Sequence, residues 1–176
     1  MIVEKTKLDG VLLIKLDGFE DHRGGYLELY NAKLYKSQGI DIDFVEDDIS
    51  IATGRVIKGI HGDDCTWKLI SCLHGKFYLV AINYDKESKH FGEWESFVPS
   101  ESNKHQQVLV PPKHGNGHLC LSEKSIFHYK QSAYYDPSRQ FTIKWNDPRF
   151  NIWWPVKSRY YPCGMNAESS KVKARF

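Results

Sequence analysis

Apolar and polar positions alternate along this chain in short runs, with little of the three-to-four-residue spacing that marks a helix. The runs are VLLIKL (11–16), GYLELY (25–30), DIDFVEDDISIA (41–52), KLISCL (68–73), FYLVAINY (77–84), HQQVLVPP (105–112), HLCLS (118–122) and SIFHYKQSAYY (125–135). Turn-forming stretches such as DHRGG, HG, PPKHGNG and YDPS separate them, at the spacing of an all-β sandwich or barrel. Only residues 31–38 predict a helix, short and beginning at Asn31, whose side chain can cap it. The expected architecture is therefore an all-β jelly-roll sandwich with few short helices. From residue 158 the alternation stops and SRYYPCGMNAESSKVKARF is polar and basic, so residues 1–157 are expected to form one domain and 158–176 a divergent, loosely packed or disordered tail.

The totals narrow the partners. With 176 residues the chain is long enough for one continuous core, and 24 Lys and Arg against 22 Asp and Glu leave no global field for nucleic acid or a membrane surface. A small molecule or a second copy of the chain is the expected partner. There is no membrane-length apolar stretch, and MIVEKTKLDG lacks the pattern of a signal peptide, which points to a soluble cytoplasmic protein. Cys65, Cys72, Cys120 and Cys163 form no C-x-x-C pair and read as reduced structural thiols. Aromatic residues make up 14% of the chain, which suits a strand-rich core and an aromatic-lined pocket alike.

Candidate chemistry centres on IKGIHGDDCTWKLI (57–70), which reads as two strands joined by a bend from Gly59 to Asp64. Within the bend, His61 has three readings: metal ligand, catalytic base, or polar residue on a sheet rim. Metal binding in a jelly roll usually needs two histidines one residue apart plus further ligands, and there is no H-x-H in the chain. His114 and His118, four apart in what reads as a Gly-rich turn, are not expected to share a strand face. As a base, His61 would need a cation beside the developing anion and an acid opposite; Lys68 can supply the first, and Tyr129, Tyr134 or Tyr135 the second. Tyr129 and Tyr135, six apart, would lie on one face of a regular strand.

Many stretches in order resemble one family, the nucleotide-sugar 3,5-epimerases of the dTDP-4-dehydrorhamnose 3,5-epimerase type. They are DHRGGYLELY, KGIHG, WKLI with GKFYLVAIN, ESKHFGEWESFVPSESN, VLVPPKHGNGHLCLS, HYKQSAYYDP and WNDPRFNIWWP, together spanning Asp21 to Pro155. The resemblance implies a metal-free, cofactor-independent, cupin-type jelly roll that forms a homodimer and acts on a nucleotide diphosphate-linked 4-keto sugar. It implies His61 as the base, Tyr129 as the acid and Lys68 as the cation beside the enolate oxygen. Arg23 and Glu28 match residues that contact the nucleotide-sugar, Phe19 and Tyr26 are suited to stack on the base, and Tyr135 joins them. Arg23 has a plainer reading as a turn ion pair, and Glu28 as a solvated strand residue.

The departures from the family pattern concern the same site. Lys58 stands where the family has Arg and cannot make its bidentate fork to phosphate. Glu46, Asp47 and Asp48 replace Q-D-N, Asn116 takes a histidine's slot and His118 a phenylalanine's. The HGD, TWKL and NGH variants resemble the branch that epimerises GDP-linked 4-keto heptoses for capsular polysaccharide, with a dTDP-linked 4-keto-6-deoxyhexose as the other substrate implied. The family's S-x-x-D segment, whose Asp supports the base, has no match, because no Asp follows Asp147. Two further readings therefore stand beside the enzyme: a nucleotide-sugar-binding cupin with impaired chemistry, and a metal-dependent cupin.

Overall fold

A computed structural model describes residues 1–101 and 106–156. Among these residues thirteen strands and one helix follow in the order β1 Ile2–Lys5, β2 Leu12–Lys15, β3 Gly18–Asp21, β4 Gly24–Leu27, α1 Ala32–Ser37, β5 Glu46–Thr53, β6 Ile57–Gly62, β7 Lys68–His74, β8 Phe77–Asn83, β9 Trp94–Phe97, β10 Gln106–Val110, β11 His114–Cys120, β12 Lys124–Gln131 and β13 Phe141–Thr142. They form a six-stranded sheet ordered β1-β2-β10-β7-β12-β5, a five-stranded sheet ordered β13-β6-β11-β8-β9, and the separate β3-β4 hairpin. The pairings are antiparallel, as the short alternating runs required.

Three apolar layers hold the sheets. The layer between them contains Ile70, Phe77, Leu79, Ala81, Val108 and Phe127. A second, with Ile60, Tyr78, Val80, Ile82, Phe150 and Trp154, lies on the far face of the five-stranded sheet under the segment that follows β12. This explains why FYLVAIN is apolar throughout: alternate residues of β8 enter different layers, and all seven are buried. A third layer covers the outer face of the six-stranded sheet, where Tyr35 of α1 packs with Ile14, Leu69 and Leu109 and its hydroxyl donates to Leu29 O and bonds Gln107 Oε1. The helix begins as expected, with Asn31 Oδ1 accepting from Leu34 N at 3.2 Å.

Several boundaries differ from the sequence reading. The run 41–52 becomes a strand only from Glu46, and the run 125–135 ends at Gln131, so Tyr135 lies past the strand. His61 sits in strand β6 and not in a bend, and HGNGH is strand β11 and not a turn. Glycine misled that assignment, because a β-carbon on Gly115 would come 2.7 Å from Ile60 Cγ2: the residue is small to admit a neighbouring side chain, not to turn the chain. Strands β1, β3, β9 and β13 had no clear alternation to announce them. Cys65, Cys72 and Cys120 are free thiols, and no helix among the described residues is long and apolar enough to cross a membrane. Cys163 and the tail 158–176 lie outside the described residues.

Candidate active site

Beside the inner layer a cavity of about 580 Å³ opens between the sheets, a size suited to a small-molecule ligand. His61 and Lys58 enter it from β6, Asn116 and His118 from β11, Lys68 from the start of β7, and Phe127, Tyr129 and Gln131 from alternate positions of β12. Tyr135, Pro137, Gln140 and Thr142 close it from the segment after β12. The three residues expected to perform acid–base chemistry thus converge from three strands in two sheets.

His61 occupies the middle of a cross-strand row, with Asn116 of β11 on one side and Thr142 of β13 on the other. Its Nδ1 lies 2.9 Å from Thr142 Oγ1. The residue remains reachable from solvent, yet burial of the ring and then the Lys68 charge hold its pKa below the ordinary histidine value. Lys68 is buried, and its pKa is lowered by that burial against an opposing pull from Asp63. Tyr129 lies between Ile70 of β7 and Asp48 of β5. Burial, aided by Asp48, Glu46 and Tyr135, pushes its phenol up to about 12, so it carries its proton at neutral pH.

The remaining pocket residues form a polar frame. Lys58 Nζ donates to Ser50 Oγ at 3.0 Å and Ile51 O at 2.7 Å, which ties β6 to the edge strand β5. Asp48 does not line the cavity; with Glu46 it accepts from Gln131 Nε2, and its own pKa is raised, first by burial and then by Glu46. Asp47 points to the other face, toward His128 and Lys130. Buried atoms Asn116 Oδ1 and His118 Nε2 have no hydrogen-bond partner among the described residues. His118 stacks on Phe127 at 4.3 Å, and burial drives its pKa down to about 3, so it is neutral.

The first-motif residues lie elsewhere. Phe19 and Tyr26 are 61% and 70% exposed on the β3-β4 hairpin and line a separate groove with Cys72 and Leu73. Arg23 forks onto Asp21 as a turn ion pair, and Glu28 accepts from the Asn31 side chain. In this chain none of the four lines the cavity. Asp147 is held by Arg149, a turn contact of the kind its WNDP setting suggested. Sequence reasoning missed Ser50, Phe127, Gln131, Pro137, Gln140 and Thr142. Alternation counted back and forward from Tyr129 would have found Phe127 and Gln131; Pro137, Gln140 and Thr142 come from a segment with no periodicity to follow. Among the described residues, the one close cluster of possible metal-ligating groups is Asp63, Asp64 and Cys65, and Asp63 already accepts from Cys65 N, Thr66 N and Gln140 Nε2.

A two-sheet antiparallel sandwich with a buried lysine, a histidine and a protonated tyrosine around one cavity has the architecture of a cupin-like fold. Residues 5–172 match the family model described as dTDP-4-dehydrorhamnose 3,5-epimerase. The dTDP-4-dehydrorhamnose 3,5-epimerase of Salmonella typhimurium is 36% identical over 159 residues, covering 88% of this chain and 86% of that protein. The Legionella pneumophila dTDP-6-deoxy-D-glucose-3,5-epimerase, solved with dTDP-4-keto-L-rhamnose, superposes with a TM-score of 0.87 at 30% identity, covering 93% of this chain and 88% of the other. The Bacillus anthracis enzyme, solved with TDP and PPi, gives 0.85 at 31% identity over 90% of this chain and 93% of the other. The chain belongs to the dTDP-4-dehydrorhamnose 3,5-epimerase family, and it is an enzyme of the epimerase class.

Proposed function

We propose that the protein inverts C3, or C3 and C5, of a nucleotide diphosphate-linked 4-keto sugar in the cytoplasm, using side chains alone. The observation that carries this reading is the convergence of His61, Lys68 and Tyr129 on one cavity. A C4 ketone acidifies the neighbouring C–H bonds. His61 takes the C3 proton, the C–H electron pair moves into the enolate, and the Lys68 ammonium stabilises the charge on O4. Tyr129 then delivers its proton to the opposite face of the carbon. Solvent exchange resets His61 to neutral and Tyr129 to the phenol.

The favoured substrate is a GDP-linked 4-keto-6-deoxyheptose, with a dTDP-linked 4-keto-6-deoxyhexose as the alternative; a role in capsular polysaccharide synthesis goes with the first. The HGD, TWKL and NGH segments support the heptose. So do Asn116 Oδ1 and His118 Nε2, polar atoms without a partner among the described residues, which suit a sugar carrying a further hydroxyl. Lys58 and Tyr135 are assigned to the diphosphate side, and Asp48 acts through Gln131. Assaying both sugars by NMR tests the choice: inversion of the GDP-heptose at least tenfold faster supports it, and preference for the dTDP-hexose reverses it.

The working unit is a homodimer in which the hairpin bearing Phe19, Arg23 and Tyr26, with Glu28 just after it, serves the cavity of the second copy. Its supports are that the hairpin groove and the cavity share no lining residue, and the exposed apolar residues Phe19, Tyr26, Leu73, Ile49 and Ile51. Mixing Arg23→Ala with His61→Asn protein should restore activity in heterodimers. Failure to do so, with dimers present by sedimentation, would place the hairpin outside the site.

A further inference from the structure

We propose that Thr142 is the positioning residue of the His61 base: its Oγ1 accepts the Nδ1 proton across the β13-β6 pair and leaves Nε2 as the nitrogen that takes the substrate proton. The inference rests on the reading of His61 as the base. In a histidine base the nitrogen opposite the reacting one needs a fixed partner, because that bond selects the tautomer and the ring orientation. No Asp follows Asp147 in the chain, and Asp147 is held by Arg149. Among the described residues, the partner brought to His61 is a neutral hydroxyl at 2.9 Å.

Thr142 is well placed for the task. It pairs in register with His61, and β13 is fastened next to it by Ile143 N donating to Ile60 O at 3.0 Å and Ile60 N donating to Ile143 O at 3.3 Å. Phe141, one residue earlier, packs on Tyr84 with ring centroids 4.6 Å apart. A β-branched threonine has restricted χ1 freedom, so little entropy is lost in holding its hydroxyl toward the ring. Among the described residues, the titratable groups that share the cavity with His61 are Lys58 on its own strand, Lys68 on β7, His118 on β11, and Tyr129 and Tyr135 on and beyond β12. None of them is a carboxylate. A neutral partner therefore leaves His61 under the influence of burial and then Lys68, which hold its pKa below the ordinary histidine value.

Nitrogen-15 NMR of His61 in the intact protein, combined with pH–rate profiles, tests this. Wild type should show the Nδ1–H tautomer. Thr142→Ser should preserve it, and Thr142→Val should lose it with a fall in kcat of roughly two- to tenfold, the worth of one hydrogen bond. Thr142→Asp should raise the His61 pKa and the acidic limb of the profile together by about one to two units, as a carboxylate within contact does. An Nε2–H tautomer in wild type, or a His61 titration unchanged in both Thr142→Val and Thr142→Asp, overturns the proposal. Altered His61 spectra in a protein that never turns over would uphold the contact and reject the catalytic reading, so the two failures are distinguishable.

Discussion

His61 and Lys68 reach one cavity from opposite sheets, and the Lys68 ammonium, second to burial, holds the His61 imidazole below its ordinary pKa. In the proposed reaction the same charge favours a neutral base and stabilises the enolate. The folded pKa is depressed, so the acidic limb of kcat/KM should fall below about 6.5, the unperturbed histidine value. Lys68→Met should move that limb upward while lowering kcat by roughly 10² to 10³ through loss of the oxyanion partner. A limb that stays in place would mean that the two side chains are not coupled.

Tyr129 carries a phenol pushed up to about 12, a proton donor at every physiological pH. Tyr129→Phe should lower inversion by about 10² to 10⁴ while His61 continues to remove and return protons on its own face. In heavy water the variant should therefore take up deuterium with retained configuration. Wild-type inversion by Tyr129→Phe would show that the acid is another group.

His118 is buried and neutral, with a pKa near 3 against about 6.5 in an unfolded chain. Between those values the unfolded state binds the extra proton, so this residue's contribution to stability is complete above about pH 6.5 and declines as pH falls through the window. The slope is about 1.4 kcal/mol per pH unit for one proton. His118→Phe keeps a ring against Phe127 and should flatten the loss between roughly pH 6.5 and 4.5, where Asp47 and Asp63 are still ionised. Denaturant melts of both proteins across that range check it; parallel curves would contradict it.

Gly59 has φ +98°, and a β-carbon there would lie 2.7 Å from Asn116 O and 2.8 Å from Gly117 Cα. Both contacts are backbone, so an alanine must push β6 away from β11. Gly59→Ala should cost about 1–3 kcal/mol and lower kcat as well, because His61 and Asn116 ride on those strands. Thermal melts and turnover measured together would show both effects, and an unchanged melting temperature would mean that the strands yield freely.

Much of this fold was readable as letters because short apolar-rich runs set off by turn signals report on strands; LLIK, KLISC and IFHYKQ were found in this way, although their burial does not alternate strictly. The failures share a cause. The HGNGH strand hides behind glycines placed for close packing, β13 is too short to show a period, and Phe141 and Thr142 enter through register with β6, which no local pattern encodes. In the site, residue chemistry pointed to His61, Lys68 and one of Tyr129, Tyr134 and Tyr135, family resemblance singled out Tyr129, and the fold brings His61, Lys68 and Tyr129 together. The resemblance also pointed to Arg23 and Phe19, whose place on an exposed hairpin only three-dimensional structure reveals.

Solvent-proton exchange tests the central claim most directly. Incubated in heavy water with an authentic GDP- or dTDP-linked 4-keto sugar, the protein should place deuterium at C3, or at C3 and C5, with inversion, and His61→Asn should reduce the rate by about 10² to 10⁴. No incorporation at either carbon with either nucleotide, or a His61→Asn variant exchanging at the wild-type rate, would contradict the account.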